Sequence, residues 1–454
     1  MTDHPNTAMT TTPSVNTDRA TDVSAREEDA YTLGVQAVLW GYPMACYARA
    51  SDARGGAAHL NVFRRIRKLK TAADRDVVTP DNVTIEACGW IDLREEPMVV
   101  HVPALTEPRW YIVQFGDTFD EVATNIGGIN GPRAGAYAVC GPRFDAKLPG
   151  EITVIHLRTT QCVCTVRVFV DGEADLPDAV AVLDGFRLLP LSAYLREGLA
   201  YHPPEGALLP TLADDAPPTL RLFGHIGQAM RWYLPTSADT GDALVMSLHR
   251  IGLSVAHGFD YGSLCEDTTR GLARAAVTAE RIIDARLADL GEIINGWRYN
   301  TASGRAGYDV ALRATLAKGA LGAQLANEVL CPACDVDADG EPLHGRHDYK
   351  LHFPSGDLPP VSRFWNMSLF GEDLMFVEND AGRYSIGNTT DGLATNTDGS
   401  LTLSIQQHRP EDQLAQANWL PAPDGPFTLT MRLYAPATSV LDGTYRLPAI
   451  AKRG

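Results

Sequence analysis

Three alternating polar side chains near residue 86 have the residue types and the spacing best suited to catalysis in this chain. Thr84, Glu86 and Cys88 are each separated by one residue, and the residues between them are Ile85 and Ala87. In a β-strand this spacing places all three polar side chains on one face. If that face lines a pocket, Glu86 is a candidate general acid or base. The alternative is that Glu86 pairs with an arginine or points to solvent.

Other polar side chains could orient a small substrate. Tyr42 stands beside a predicted helix kink, Tyr111 lies in an aromatic strand pattern, and Asp117 follows that strand in a turn. With Thr84 they could supply the few polar contacts that orient a ligand in a largely apolar cavity. Arg383 could bind a carboxylate through two parallel hydrogen bonds. The alternatives are core positions for the tyrosines, with hydroxyls bonded to the backbone, and a role in domain docking for Arg383.

Two short motifs resemble metal sites. Residues 335–340 read like the start of a calcium loop, but the twelfth position is Arg346 and no flanking helices are evident, so we expect a turn between strands. Cys331 and Cys334 have zinc or redox spacing without a second such pair, and a zinc site with downstream histidines is the alternative. The glycine-rich run 127–135 fits neither a P-loop nor a dinucleotide fingerprint. We therefore predict no metal site and no cofactor.

Composition and charge limit the partners and the compartment. The chain has 454 residues, a formal net charge of −17 and eight cysteines. The negative charge disfavours binding to nucleic acid or anionic membranes, since both depend on a surplus of Lys and Arg. No signal peptide or membrane-spanning stretch is evident, and cysteines in such a chain are most simply reduced thiols. We expect a cytoplasmic protein with a small-molecule substrate and no nucleic-acid or membrane partner; self-association as a homo-oligomer is left open.

The elements that must position these residues follow a β–α–β order. Residues 1–25 have the composition of a disordered tail, and 26–176 predict an opening helix followed by short strands rich in β-branched and aromatic residues. Residues 177–334 have mainly helical periodicity, and 335–454 show strands separated by Asp-Gly turns. The predicted fold class is β-rich α+β, with two β-sandwich or barrel-like domains joined by a helical connector.

Several runs of this chain resemble a known pair of domains. They are 40–44, 79–93 and 109–114 in the first half, and 363–365, 383–386, 398–401, 418–423 and 432–434 in the second. On these runs the N-terminal half resembles the family called domain of unknown function 1254, and the C-terminal half resembles its usual companion, domain of unknown function 1214. The resemblance covers nearly all of residues 26–450 and implies two β-rich domains joined by helices in a bacterial protein.

Two departures from the family pattern fall next to the candidate site. Where the 1254 family usually has Asp and Tyr after its Thr-Pro motif, this chain has Val83 and Glu86. A valine side chain can neither donate nor accept a hydrogen bond, so the resemblance does not carry an activity to this position. From the residues themselves we predict an acid/base enzyme of hydrolase, lyase or isomerase type that acts on a small organic substrate. The alternative is a non-enzymatic β-sandwich protein that binds a sugar, a lipid or a protein partner.

Overall fold

The computed structural model describes residues 23–53, 60–204, 208, 211–213, 215–234 and 242–453. Within these residues the chain is an α+β fold rich in antiparallel sheet, with two β-sandwiches, a helical bundle and no closed barrel. The predicted fold class is thus confirmed as β-rich α+β. The predicted tail at 1–25 lies outside the described residues as far as residue 22, and the first helix begins at Ala25.

The N-terminal sandwich consists of two sheets and two short helices. Its elements are β1 (Arg64–Ile66), β2 (Thr84–Asp92), β3 (Met98–Val102), β4 (Tyr111–Asp117), β5 (Val122–Gly127), β6 (Gly135–Cys140), β7 (Ile152–His156), β8 (Gln161–Phe169), α2 (Leu176–Gly185), β9 (Arg187–Pro190) and α3 (Leu191–Glu197). One sheet has the strand order β1-β2-β8-β4-β5 and the other β7-β6-β3-β9. Within them only β6 and β7 pair in parallel.

Strand β8 shows why the five-stranded sheet has two different faces. Cys162, Cys164, Val166 and Val168 are fully buried and point into the core between the two sheets. The alternate residues Val163, Thr165 and Arg167 are only partly buried and point to the opposite face. Because side chains alternate along a strand, one face closes the sandwich and the other is available to line a site.

A helical bundle forms the second layer of the molecule. Its elements are α1 (Ala25–Ala53), α4 (Arg221–Tyr233), α5 (Ala243–Ser247), the hairpin β10 (Leu253–Ser254) and β11 (Gly258–Phe259), α6 (Glu266–Ala288) and α7 (Val310–Ala320). The buried Glu27 of α1 accepts hydrogen bonds from Arg270 and Arg274 of α6, both at 2.9 Å. None of the helices in the described segments has an apolar stretch of the length needed to cross a bilayer.

The C-terminal sandwich also has two sheets. Its elements are β12 (Glu292–Ile294), β13 (Trp297–Tyr299), β14 (Val329–Leu330), β15 (Ala333–Cys334), β16 (Tyr349–Phe353), β17 (Trp365–Gly371), β18 (Ser385–Gly387), β19 (Leu401–Gln406), α8 (Gln413–Ala417), β20 (Trp419–Pro421), β21 (Phe427–Tyr434), α9 (Thr438–Leu441) and β22 (Ala451–Lys452). One sheet has the order β12-β13-β15-β21-β17-β18, with β14 also on β21; the other is β20-β19-β16-β22. Strands β12–β15, from the predicted connector, therefore belong to this sandwich.

Buried contacts join the two sandwiches, among them an aromatic cluster and a carboxyl group bound in the glycine-rich loop. The rings of Trp110, Phe364 and Tyr434 form an aromatic cluster in which Phe364 and Tyr434 stack with centroids 4.0 Å apart. In the glycine-rich loop, the Ile129 amide donates to Glu328 Oε2 at 2.9 Å. Glu328 is only 3% exposed, and its desolvation raises the pKa of its carboxyl. The glycine-rich loop thus binds a carboxyl group of the chain itself, that of Glu328.

Candidate functional site

A cavity of about 440 Å³ lies against the outer face of the five-stranded sheet. The alternate residues of β1, β2, β8 and β4 form its floor. Its other walls come from the segment before β2, the loop after α7 and the C-terminal sandwich. Residues 76–81 form the wall before β2, and residues 319–324 form the wall at the end of α7 and in the loop after it. The C-terminal sandwich contributes Val329, Cys331, Arg432 and Tyr434.

Glu86 lies in the middle of this floor. It stands opposite Ile66 of β1 on one side and opposite Arg167 of β8 on the other. Arg167 Nε lies 3.8 Å from Glu86 Oε2, which is an ion pair but too long for a hydrogen bond. The Glu86 side chain is 32% exposed and the Arg167 side chain is 25% exposed. Within the described residues Glu86 accepts no hydrogen bond, so its oxygens are available to a bound molecule.

A second row of side chains crosses the floor two residues further along the strands. In register, it consists of Arg64, Cys88, Thr165 and Gln114. Adjacent rows on one face of a sheet are about 7 Å apart. A molecule lying over Glu86 would therefore also be within reach of this row.

Three polar atoms of residues that line the cavity have no hydrogen-bond partner in the described structure. They are the donor Arg167 Nη1 and the acceptors Gln114 Oε1 and Gln324 Oε1. Gln114 is held in place by its amide nitrogen, which donates to the Gly322 carbonyl at 3.1 Å. Shielded polar atoms of this kind are rare in native structures and call for a partner such as water or a ligand.

Asp81 connects the cavity floor to the C-terminal sandwich. Its Oδ2 accepts hydrogen bonds from the hydroxyls of Thr84 and Tyr434, both at 2.7 Å. Burial raises the pKa of Tyr434 well above its usual value, and the neighbouring Asp81 charge acts in the same direction. Tyr434 therefore remains a neutral donor to Asp81 at physiological pH.

Arg432 fixes the adjacent backbone. Its guanidinium donates to the carbonyls of Thr79 and Pro80, at 2.6 and 3.1 Å, and to Ser368 Oγ at 2.7 Å. Thr79 has a φ of +46°, which is unfavourable for a β-branched residue. The Thr79 amide also donates to the Leu374 carbonyl at 2.7 Å. Contacts from the C-terminal sandwich therefore hold this strained part of the cavity wall.

A buried acid lies behind one end of the cavity. Asp120 Oδ1 accepts hydrogen bonds from the Tyr47 hydroxyl and the Gly322 amide, both at 2.8 Å. Tyr47 and Gly322 line the cavity, whereas Asp120 is 6% exposed. Desolvation raises the pKa of the Asp120 carboxyl to about 7, against the lowering effect of these two hydrogen bonds.

The two cysteines with metal-site spacing have different surroundings. Cys331 is accessible in the cavity, yet the protein around it desolvates the thiol and raises its pKa. Cys334 is buried in the C-terminal core. Among the described residues, no group of three His, Cys, Asp or Glu side chains is placed to hold a metal ion. In the calcium-like segment, Asp337 accepts the amides of Asp339 and Glu341 in a turn between bridged segments, as the sequence predicts.

The structure brings together two of the predicted catalytic and substrate-binding residues and separates the others. Thr84 and Glu86 line the cavity. Tyr42 is in the helical core, with the Arg49 guanidinium over its ring. Tyr111 points into the sandwich core, and its hydroxyl accepts the Arg133 amide at 2.8 Å.

Asp117 and Arg383 also lie outside the cavity lining. Asp117 accepts the amides of Phe119 and Glu121 and pairs with Arg158. Arg383 donates to the carbonyls of Ala417 and Trp419 within the C-terminal sandwich, at 3.2 and 2.8 Å. Both side chains therefore stabilise turns or strand ends.

The site also contains residues that sequence reasoning did not select. Arg167 had a detectable signal, because it is a charged residue at an alternate position in a run of β-branched residues. Arg432 and Tyr434 had a weaker one, as members of a run that resembles the 1214 family. For Gln114 and Gln324 we find no signal in the sequence.

Models of two protein families match the chain. One, described as a protein of unknown function (DUF1254), matches residues 60–190. The other, described as a protein of unknown function (DUF1214), matches residues 328–438. The chain is a tandem DUF1254 and DUF1214 protein. The two matches correspond to the two sandwiches, and the cavity takes its floor from the first domain and part of its wall from the second.

One solved structure supports the fold of this tandem protein. The crystal structure of the VPA0106 protein from Vibrio parahaemolyticus superposes with a TM-score of 0.72 at 19% sequence identity, and covers 94% of this chain and 100% of that chain. A protein from Burkholderia cenocepacia superposes with a TM-score of 0.44 at 10% identity, over 94% of this chain and 95% of that chain. No curated protein matches the sequence. The first similarity shows a shared fold.

Proposed function

We propose that this protein is an acid/base enzyme of hydrolase, lyase or isomerase type, and that a small organic substrate reacts in the cavity. The observation that carries the proposal is the position of Glu86. Its carboxylate lies on the cavity floor and accepts no hydrogen bond within the described residues. A carboxylate with free lone pairs next to a ligand space is placed to take or give a proton.

The neighbouring residues support this role. In the forward step a C–H or water O–H bond breaks, its proton binds Glu86 Oε, and the electron pair remains on the substrate carbon or the water oxygen. Arg167 lies beside Glu86, where its positive charge would stabilise the negative charge left on the substrate. Thr84 and Gln114 line the same space and orient the substrate. The cavity volume lies within the range of small-molecule sites.

The test is a substrate screen with a Glu86→Gln variant. The protein is incubated in D₂O with a panel of neutral and charged small organic molecules, and proton NMR follows the loss of C–H signals and the appearance of products. We expect Glu86→Gln to lower the rate of exchange or turnover by about 10²- to 10⁴-fold, which is the usual contribution of a general acid or base. The near-isosteric amide keeps the cavity shape but cannot accept the proton.

The matched control is Glu107→Gln, which changes an exposed glutamate outside the cavity lining. This variant should retain the wild-type rate. Circular dichroism should show that both variants are folded. If Glu86→Gln turns over substrate at the wild-type rate, Glu86 does not move the proton and the assignment is wrong.

The alternative function is binding without turnover. The Arg167 ion pair favours it, because Arg167 already compensates the charge of the Glu86 carboxylate. In that case molecules from the panel bind, as seen by ligand-observed NMR, but neither deuterium exchange nor product appears. The same experiment therefore separates the two functions.

A further inference from the structure

The cavity lining is unusually cationic for this chain. It contains five Arg or Lys side chains and three Asp or Glu side chains, whereas the chain as a whole has a net charge of −17. A positive cavity in a negative protein raises the local concentration of anions and disfavours cations. The charge of the lining thus points to a negatively charged ligand.

The internal contacts show which of these cations are available. Lys68 and Lys70 pair with Asp74 and Asp76, at 2.6 and 2.7 Å. Arg432 is occupied by its three hydrogen bonds to Ser368, Thr79 and Pro80. Arg64 and Arg167 remain, and each lies on the sheet floor.

Arg167 has the more specific geometry of the two. Among the described residues it forms an ion pair only with the Glu86 carboxylate, at 3.8 Å from Nε, and it makes no hydrogen bond. Arg64 lies two strands away, in the adjacent row of the floor, and has neither an ion pair nor a hydrogen bond in the described structure. The Arg167 side chain is 25% exposed and lines the cavity, and a guanidinium without hydrogen bonds is suited to a planar carboxylate, which accepts two parallel hydrogen bonds.

We propose that the substrate of this site is a small organic carboxylate, with its carboxyl group bound by Arg167 and assisted by Arg64. This inference rests on the proposed function only in taking the cavity as the working site. It adds the chemical class of the ligand.

The first test uses the unmodified protein and matched pairs of ligands. Benzoate and benzamide, phenylacetate and phenylacetamide, and nicotinate and nicotinamide differ in charge but little in shape. Phenyl phosphate is the comparison for a tetrahedral anion. Isothermal titration calorimetry and ligand-observed NMR should show that carboxylates bind about tenfold or more tightly than their amides and more tightly than phenyl phosphate.

The second test uses Arg167→Gln, with Arg196→Gln as the control because Arg196 is an exposed arginine outside the cavity. We expect Arg167→Gln to remove the preference for carboxylate over amide and Arg196→Gln to retain it. Equal binding of acids and amides by the wild type, preference for phenyl phosphate, or no binding of any carboxylate would overturn the inference.

The outcomes separate this inference from the proposed function. If carboxylates bind through Arg167 but Glu86→Gln does not change any reaction, the ligand class holds and the acid/base role fails. If a neutral molecule reacts and Glu86→Gln abolishes that reaction, the acid/base role holds and the ligand class is wrong.

Discussion

Two carboxyl groups near the cavity have different surroundings. Glu86 lies partly exposed on the cavity floor beside Arg167. Asp120 is buried with two neutral donors, the Tyr47 hydroxyl and the Gly322 amide, and has no ion pair among the described residues. Its folded-state pKa of about 7 is far above the value of about 3.9 expected in the unfolded chain.

Asp120 should therefore make stability depend on pH. Between about pH 4 and 7 the folded state binds the proton and the unfolded state does not, so the contribution of Asp120 is present at low pH and is lost as the pH rises through about 7. Asp120→Asn keeps the acceptor Oδ1 and suits the φ of +65° at this position. We expect this variant to be more stable than wild type at pH 8, by up to about 4 kcal/mol, and equally stable at pH 3.5.

Urea denaturation of the two proteins across this pH range measures the difference. A constant difference between them at all pH values would show that Asp120 has an ordinary pKa. A less stable Asp120→Asn at pH 8 would show that the ionised carboxylate is favoured where it lies.

The residues of the site were predictable to the extent that local spacing determines them. Thr84 and Glu86 reach the same face because strand periodicity is local. The pairing of Glu86 with Arg167 was not predictable, because it depends on the register between two strands that are distant in sequence. Tyr111 has the same strand periodicity, but nothing local indicates that its face of β4 is the sandwich core.

Among the elements, the glycine-rich segment shows how backbone shape and a buried charge depend on each other. Gly127 and Gly128 have φ values of +81° and +57°, and this backbone presents the Ile129 amide to Glu328. A Cβ atom at Gly128 would overlap the Glu328 carboxylate. Gly131 also has a positive φ, of +72°, but a Cβ atom there would meet nothing within 4 Å.

These two glycines make a matched pair of substitutions. Gly131→Ala adds only backbone strain and should lower the free energy of unfolding by about 1–2 kcal/mol. Gly128→Ala adds the same strain and displaces Glu328, so we expect a loss of about 2–4 kcal/mol. Chemical denaturation of both variants checks the difference. Equal losses would mean that the Glu328 contact adds nothing to the strain.

Elements with strong periodicity were predictable, and short ones were not. The alternating pattern of β8 predicts its strand and both of its faces. By contrast, β12 to β15 contain two or three residues each, too few for a periodic signal, and they are strands because they pair with β21 or with each other. Helix α1 continues through Pro43, beside which the sequence predicts a kink, and the residues on both sides are buried in the helical core.

At the scale of the whole molecule, the second domain holds part of the first domain's site. Arg432 and Tyr434 of β21 bond to Thr79, Pro80 and Asp81, immediately before β2. The cavity wall is therefore complete only when both sandwiches are folded and docked.

Arg432→Met should show this dependence. The variant removes donors from two backbone carbonyls and should lower the free energy of unfolding by about 2–4 kcal/mol. It should also speed hydrogen exchange at the amides of Thr79 and Val83, since the strained backbone is no longer held.

The control for this variant is Arg383→Met. Arg383 also donates to two backbone carbonyls, but both belong to its own sandwich. This change should destabilise the protein without altering exchange at Thr79 and Val83. Similar exchange in the two variants would argue against a wall held by the second domain.

The shared walls of the cavity also have a thermodynamic consequence. A ligand that contacts the five-stranded sheet, the loop after α7 and the C-terminal sandwich binds only when all three are assembled. At a concentration of 100 times its Kd, such a ligand adds about 2.7 kcal/mol to the unfolding free energy, whatever reaction follows. A rise in melting temperature can therefore identify ligands of this protein from a large collection of compounds without any assay of chemistry.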